Sequence, residues 1–173
     1  RARMYGPALR QTLGQARHDR STPVRREALL GFVAEHPELL ASLLDPAASL
    51  REMVRFYLRQ SANLDFAAVY RNQLEHASKS PPGADATLRL AIAISGLGET
   101  GSRADTHYVE AFVHDKRARI RHAALTAHSQ LAKELAVPNL IAALSDSSSR
   151  VIRGALVALG SHMTVAGREL LVA

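Results

Sequence analysis

Apolar residues along the chain follow a short pattern that is repeated several times. In its clearest copy, Asp146 is followed five residues later by Val151 and, four residues after that, by Ala155. The same spacing opens at Asp19, Asp45 and Asp115, and a fainter copy, which rests on apolar spacing alone, is anchored at Leu88. The anchor positions 24, 50, 88, 120 and 151 are therefore separated by 26, 38, 32 and 31 residues. A unit that recurs every ~20–50 residues indicates an array of supersecondary repeats.

Helical periodicity fills the segments between these anchors. No segment alternates polar and apolar residues over the length of a strand, so we predict an all-α fold in which short and long helices alternate. The predicted helices span 7–17, 24–32, 37–44, 50–60, 64–77, 86–97, 105–114, 118–131, 138–144 and 149–159, with a loop at 78–83 and a further element at 165–172. We interpret Gly96, Gly98 and Gly101 as the end of one long helix, and Gly160 as the C-cap of another.

The long helices are apolar around most of their circumference. Counted from each anchor, the positions 0, +4, +5, +6 and +8 are mostly apolar. In the last copy these positions hold Val151, Ala155, Leu156, Val157 and Leu159. A helix of this kind is expected to be buried by neighbours on several sides. Stacked helical hairpins, in which each long helix contacts its partner, its predecessor and its successor, meet this requirement.

The repeated pattern resembles the second helix of a HEAT repeat: an aspartate, an aliphatic residue, often an arginine beside it, and then an alanine. The best copies are the segments 19–25, 115–121 and 146–152. Because steps near 31 residues are shorter than the ~40–47 usual in that family, the chain is similar to compact bacterial HEAT-like repeats, with armadillo-type units as a close alternative. The resemblance implies a right-handed α-α superhelix, or solenoid, of about five HEAT-like hairpins. We expect one such domain over residues 1–173, and we expect it to be a fragment of a longer protein.

The resemblance also implies a role for several charged residues. In HEAT repeats the aspartate of the turn and the arginine six residues later commonly form a ladder between adjacent repeats. By resemblance we expect the pairs Asp19–Arg25, Asp45–Arg51 and Asp115–Arg121. The ladder should be broken at Asp146, because Ile152 stands in the arginine position. We therefore expect these arginines to be structural and not to belong to a binding surface.

The remaining basic residues are candidates for binding. The net charge is +6, from 22 Lys and Arg against 16 Asp and Glu, which favours an acidic protein surface or a nucleic acid as partner. Positions −1 and +2 from each anchor lie opposite it, on the side that tends to line the concave surface of a HEAT-like stack. We predict a basic patch there, made of Arg26, Arg119, His122, Arg150 and Arg153, with Lys116 and Arg117 at the turn. The alternative interpretation is an ordinary solvated surface.

The sequence offers little support for catalysis or for a cofactor. Cysteine is absent, and the pairs His107–His114 and His122–His128 are spaced by seven and six residues, not by the four that converge on zinc. No glycine-rich phosphate loop is recognisable, and no spacing singles out a Ser-His-Asp set. HEAT-like DNA glycosylases depend on aromatic residues around a concave acidic group, and we cannot place such a set in a chain with 5% aromatic residues. We predict no catalytic residue, no metal and no cofactor.

The predicted function is therefore binding. We expect a non-catalytic scaffold whose concave face binds a protein partner or another domain of the same chain, and the charge favours an acidic partner. The alternative is nucleic-acid binding through the basic patch on the C-terminal repeats, which the low aromatic content disfavours. No apolar run reaches the ~18 residues of a membrane span, so we expect no membrane partner and a cytoplasmic location.

Overall fold

A computed structural model describes residues 6–32, 36–60, 63–79, 81 and 83–170. Within these ranges every regular element is a helix, which confirms the all-α prediction. The chain forms two compact units, residues 1–64 and residues 65–173. The single repeat domain over residues 1–173 stays a prediction.

The predicted alternation of short and long helices holds from Ala84 onwards, whereas the helices Ala48–Arg59, Phe66–Lys79 and Ala84–Thr100 follow one another as three long elements. The first unit contains α1 (Pro7–Ala16), α2 (Thr22–Gly31), α3 (His36–Ala41) and α4 (Ala48–Arg59). The second unit contains α5 (Phe66–Lys79), α6 (Ala84–Thr100), α7 (Thr106–Glu110), α8 (Ala118–Ala132), α9 (Val137–Ala142) and α10 (Ser149–Leu170). Short 3-10 turns continue α3 and α9, at Ser42–Leu44 and Ala143–Ser145. Of the predicted loop at 78–83, Ser80 and Pro82 lie outside the described residues.

In the first unit, α1 packs on α2 and α3 packs on α4. The buried apolar side chains of this unit are Ala28, Leu29, Phe32, Leu39, Leu43, Leu50, Val54 and Leu58. The anchor Val24 is not among them, because its side chain is 41% exposed. Leu13 of α1 lies against Gly31 at the C-terminal end of α2. The neighbouring helix therefore covers the last turns of α2 and leaves the first turn open.

In the second unit the long helices pack in a row, α6 on α8 and α8 on α10. The helices α5, α7 and α9 pack on α6, α8 and α10 respectively, which gives three helical hairpins. The side chains of Ile94 and Leu97 on α6, and of Ile120 and Ala124 on α8, are fully buried. The anchor Ile120 and the alanine four residues later thus lie in the core, as the apolar spacing predicts.

Two glycines that were expected to end α6 lie inside it. A Cβ atom built on Gly96 would clash with the ring of Tyr70 on α5, and one built on Gly98 would lie 2.7 Å from the Cα atom of Ala127 on α8. Both glycines therefore allow neighbouring helices to approach α6 closely. The helix ends at Thr100, immediately before Gly101.

The helix α10 runs without interruption through Gly160 and reaches Leu170. The predicted C-cap at Gly160 is therefore wrong, and so is a separate element beginning at residue 165; residues 171 and 172 lie outside the described residues. A capping glycine adopts a positive φ angle, and none of the described glycines does so. By contrast with α10, α7 is shorter than predicted, because it ends at Glu110.

The arginines of the repeated pattern do form ion pairs, but with a different aspartate from the one expected. Arg121 donates from Nε and Nη2 to the carboxylate of Asp146, at 2.7 Å each, and from Nη1 to the main-chain carbonyl of Asp115 at 2.8 Å. Arg25 pairs in the same way with Asp45, at 2.8 and 3.0 Å. Each of these two arginines connects its own turn to the aspartate of the following copy, so the ladder is not broken at Asp146.

The carboxylates of Asp45 and Asp146 are shared between their own turns and the preceding arginine. Each aspartate uses one carboxylate oxygen to accept a hydrogen bond from the backbone N–H two residues later, at 2.7 Å from Ala47 to Asp45 and at 2.8 Å from Ser148 to Asp146. This arrangement is an Asx turn. The same carboxylate oxygen also accepts from the arginine of the preceding copy, from Arg25 in the case of Asp45 and from Arg121 in the case of Asp146. Arg51 donates to the main-chain carbonyl of Asp45 at 2.7 Å.

An arginine–aspartate ion pair also reveals a further copy of the pattern, which the apolar spacing did not show. Arg71 stands six residues after Asp65 and donates to the carboxylate of Asp105 at 2.8 Å. Tyr70 occupies the anchor position and is fully buried, and Leu74, four residues later, is buried as well. An aromatic residue at the anchor concealed this copy from a comparison of aliphatic positions.

Candidate functional site

A groove with a volume of 880 Å³ lies between α8 and α10. Its lining residues stand at three- and four-residue steps, so that one face of each helix faces the groove. These residues include 122, 126, 129 and 133 from α8 and its C-terminal end, and 150, 153, 154, 157, 158 and 161 from α10. The two facing stripes belong to the second helices of consecutive hairpins.

Small and apolar residues form the middle of the groove's α10 side, between Arg153 and Ser161. A Cβ atom on Gly154 would clash with the Nδ1–Cε1 edge of His122, so the imidazole lies directly against the backbone of α10. Val157 follows one turn later with a 67% exposed side chain, and its neighbour Leu156 is 56% exposed. The face of α10 that carries Leu156 and Val157 is therefore exposed, although each long helix was expected to be buried by neighbours on several sides. The helix α8 lies between α6 and α10, whereas α10 packs on α8 and α9.

The charged residues of the groove are mostly cations. Arg150, Arg153 and Lys133 are exposed, and Glu134 is the one acidic residue among the described residues that line the groove. Arg150 is the second residue of α10. The partial positive charge of the helix N-terminus adds to the guanidinium charge there. The groove therefore favours an anionic ligand that also has apolar surface to place against Val157.

His122 is the titratable side chain most tightly enclosed by this arrangement. Its Nδ1 atom is buried and has no hydrogen-bond partner. Burial lowers the pKa of His122, and the charges of Arg150 and Arg153 lower this pKa further. The ring is consequently neutral at pH 7. Since the Nδ1–Cε1 edge faces Gly154, Nε2 is the ring nitrogen that a ligand in the groove can reach.

A second histidine connects the two helices near the other end of the groove. The distance between Ser129 Oγ on α8 and His162 Nε2 on α10 is 2.9 Å, which is a hydrogen bond. Among the described side chains, no carboxylate is hydrogen-bonded to His162, so no Ser-His-acid triad is formed. This contact fixes the two helices relative to each other.

Lys133 adds an unusual backbone conformation beside these residues. Its φ angle of 55° is the one positive φ among the described non-glycine residues. Such a conformation costs about 1–3 kcal/mol and is often found at functional sites.

The predicted patch is only partly assembled in this groove. His122, Arg150 and Arg153 line it together. Arg117 does not act as a free cation, because it forms a two-point ion pair with Asp115, at 2.9 and 2.8 Å, that lowers the pKa of the Asp115 carboxyl group.

The other predicted members lie elsewhere. Lys116 and Arg119 are exposed but are not among the groove residues. Arg26 belongs to the first unit, where it lines a separate groove of 320 Å³ together with Glu27.

Several groove residues were missed by the sequence reasoning. Ser129 lies two turns after His122 on the same face of α8, and Lys133 follows four residues later, directly after the end of that helix. This spacing was available in the sequence. Ser161 and His162 were missed because the helix was expected to end at Gly160. Val157 was assigned to the core because it is apolar.

No protein-family model matches the chain, and no curated protein shows significant similarity to it. Among the described residues, no helix has the length and apolar character needed to cross a membrane. No group of three or more potential metal-ligating side chains occurs in the described part of the chain. The HEAT-repeat resemblance therefore remains a prediction based on the repeated pattern and its ion pairs.

Proposed function

We propose that this chain is a HEAT-like helical-repeat scaffold that binds an acidic segment of a protein partner in the groove between α8 and α10. A right-handed superhelix is part of this proposal. It is supported by the pairing of arginine with the next aspartate, which recurs in both units at Arg25–Asp45 and Arg121–Asp146. The groove lies on the row of second helices, the side that a HEAT-like array uses as its concave surface.

The observation that supports a peptide ligand is the combination of exposed apolar surface with a cationic rim. Val157 is largely exposed within the groove, and exposed apolar surface bordered by charged residues is typical of a binding site. Arg150 and Arg153 stand on the same side of α10, one turn apart. A segment with carboxylates and at least one aliphatic side chain complements both features.

Nucleic-acid binding is the second candidate, and the exposed Lys116 and Arg119 favour it. Three features of the second unit disfavour it. Among the described residues that line the groove, none is aromatic apart from histidine, so base stacking has little support, and one of them is the acidic Glu134. Arg117, in addition, is held by Asp115. A phosphate backbone also requires a longer series of free cations than this groove presents. We do not propose catalysis, because the Ser129–His162 pair lacks an acid partner among the described residues.

Fluorescence anisotropy with a labelled, C-terminally amidated peptide of alternating glutamate and leucine residues tests the proposal. The test variant is Arg150→Glu with Arg153→Glu. The matched control is Arg26→Glu with Arg119→Glu, which changes the net charge equally but outside the groove. We expect the groove variant to weaken peptide binding about tenfold or more, because like charges then face each other. The control should retain most of the affinity.

Two results would overturn the proposal. One is an equal loss of peptide affinity in both double variants, which would indicate attraction to the overall positive charge. The other is binding of single-stranded DNA that is tighter than peptide binding at the same salt concentration, which would favour the nucleic-acid function. Circular dichroism of both variants verifies that the charge reversals leave the fold intact.

A further inference from the structure

We infer that His122, Arg150 and Arg153 form a subsite for one carboxylate group of the acidic partner. The inference rests on the proposed function and makes it more specific. It assigns a ligand group to one part of the groove, and it assigns His122 a role that differs from that of the arginines.

The geometry brings three donors to one place from two helices. Arg150 and Arg153 are one turn apart on α10, and His122 faces them from α8. Both guanidinium groups are close enough to His122 to lower its pKa. Gly154 lies between the two helices at this point and receives the edge of the imidazole that carries Nδ1. A carboxylate between the arginines would therefore meet Nε2 as the third donor.

Binding of a carboxylate at this subsite should be coupled to uptake of a proton. In the free protein, burial and the two arginines disfavour the imidazolium ion. A bound carboxylate offsets the repulsion from the arginines and attracts the imidazolium, so it raises the pKa of His122. Because the complex then holds more protons than the free protein, affinity increases as the pH falls through the raised pKa of His122 in the complex, and it levels off below the pKa of the free protein.

Other titratable groups near the groove are less suited to this coupling. On α8, Arg119 lies one turn before His122, and Lys133 and Glu134 follow directly after the C-terminal end of this helix. From α10, His162 is hydrogen-bonded to Ser129 near the far end of the groove. From the turn before α10, Asp146 is paired with Arg121. For His122, burial and the charges of Arg150 and Arg153 all lower the pKa.

The direct experiment is an NMR titration of the histidine rings of the intact chain in sodium acetate and in sodium chloride of equal ionic strength. We expect acetate to raise the pKa of His122 in the wild-type protein. The pKa should not respond to acetate in the variant Arg150→Gln with Arg153→Gln, although it should start from a higher value there. An unchanged His122 pKa in the wild type would overturn the subsite, whether or not the peptide binds.

The peptide assay gives an independent result. Between about pH 7.5 and about pH 5.5, where glutamate stays ionised, we expect wild-type affinity for the glutamate–leucine peptide to increase about three- to tenfold. His122→Gln should still bind the peptide but without this increase, and the control His162→Gln should keep it. If peptide binding requires the arginines but His122→Gln keeps the full pH dependence, the subsite is refuted. The proposed function would still stand. If the protein binds the peptide equally well with and without Arg150 and Arg153, the proposed function itself is refuted.

Discussion

Replacing Gly98 by alanine tests the packing of α6 on α8, which holds one side of the groove in place. The new Cβ atom would lie 2.7 Å from both the Cα and the Cβ atoms of Ala127 and 2.5 Å from Gln130 Oε1. Ordinary contacts at this position would be 3.4–4 Å. The Gln130 side chain can rotate away, but the backbone of Ala127 cannot, and Ala127 is fully buried. The two helices must therefore move apart.

The size of the effect follows from two opposing contributions. Overpacking of a core costs about 1–3 kcal/mol, and contact with backbone favours the upper end of that range. Alanine in place of glycine inside a helix contributes about 1 kcal/mol in the opposite direction. We therefore expect Gly98→Ala to lower the free energy of unfolding by about 2 kcal/mol. For a chain of this length the melting temperature should fall by roughly 4–8 °C.

The matched control is Gly160→Ala in α10. A Cβ atom on Gly160 would have no neighbour within 4 Å, so only the helical preference of alanine acts, and we expect stabilisation by about 0.5–1 kcal/mol. Urea denaturation followed by circular dichroism measures both variants. If Gly98→Ala stabilises the protein as Gly160→Ala does, the close approach of α6 and α8 is wrong. A destabilised Gly160→Ala would contradict the uninterrupted α10.

Two further predictions concern a partly buried ion pair and a buried histidine. Arg121→Ala removes the two bonds to Asp146 and the bonds to turn carbonyls, so we expect the free energy of unfolding in urea to fall by about 2–3 kcal/mol, against less than about 0.5 kcal/mol for the exposed Arg119→Ala. Arg121 is the main cause of the lowered pKa of Asp146. The stabilisation by this ion pair is therefore present above pH 3.8 and is lost as the pH falls through the lowered pKa. In an acid titration, Arg121→Ala should lose less free energy of unfolding than the wild type. His128 is 3% exposed, its Nδ1 has no hydrogen-bond partner, and burial lowers its pKa. The unfolded chain therefore binds the proton first, so the free energy of unfolding of the wild type should decline as the pH falls below 6.5. His128→Leu, which copies Leu159 at the corresponding place in α10, should reduce this decline between about pH 7.5 and about pH 5.5; an unaltered slope would exclude His128 as its source.

The sequence was most informative about residues whose environment depends on local periodicity. Ile120 and Ala124 were expected in the core from their spacing alone, and both are fully buried. The same reasoning failed for Val24 and Val157, because it identifies an apolar helix face but not the extent of the neighbour that covers it. Both residues lie on parts of their helices that the adjacent helix leaves open.

The candidate site could be predicted in part for the same reason. Helical spacing placed Arg150 and Arg153 on one face, and they do line one groove. It could not show that Arg117 is held by Asp115, because the conformation of the turn determines that pair. It also could not show that Gly154 admits the ring of His122, since this contact joins residues on two different helices.

By itself, the sequence determined the helical class of the described residues, the approximate start of each helix and the recurrence of aspartate and arginine at fixed spacing. These properties depend on residues within about one or two helical turns of each other, where chain geometry is nearly constant. Only the tertiary structure decided which aspartate each arginine reaches, whether Gly98 ends a helix or admits a neighbour, and which residues share the groove. Each of these depends on the distance between separate helices, and that distance is set by the packing of many side chains at once.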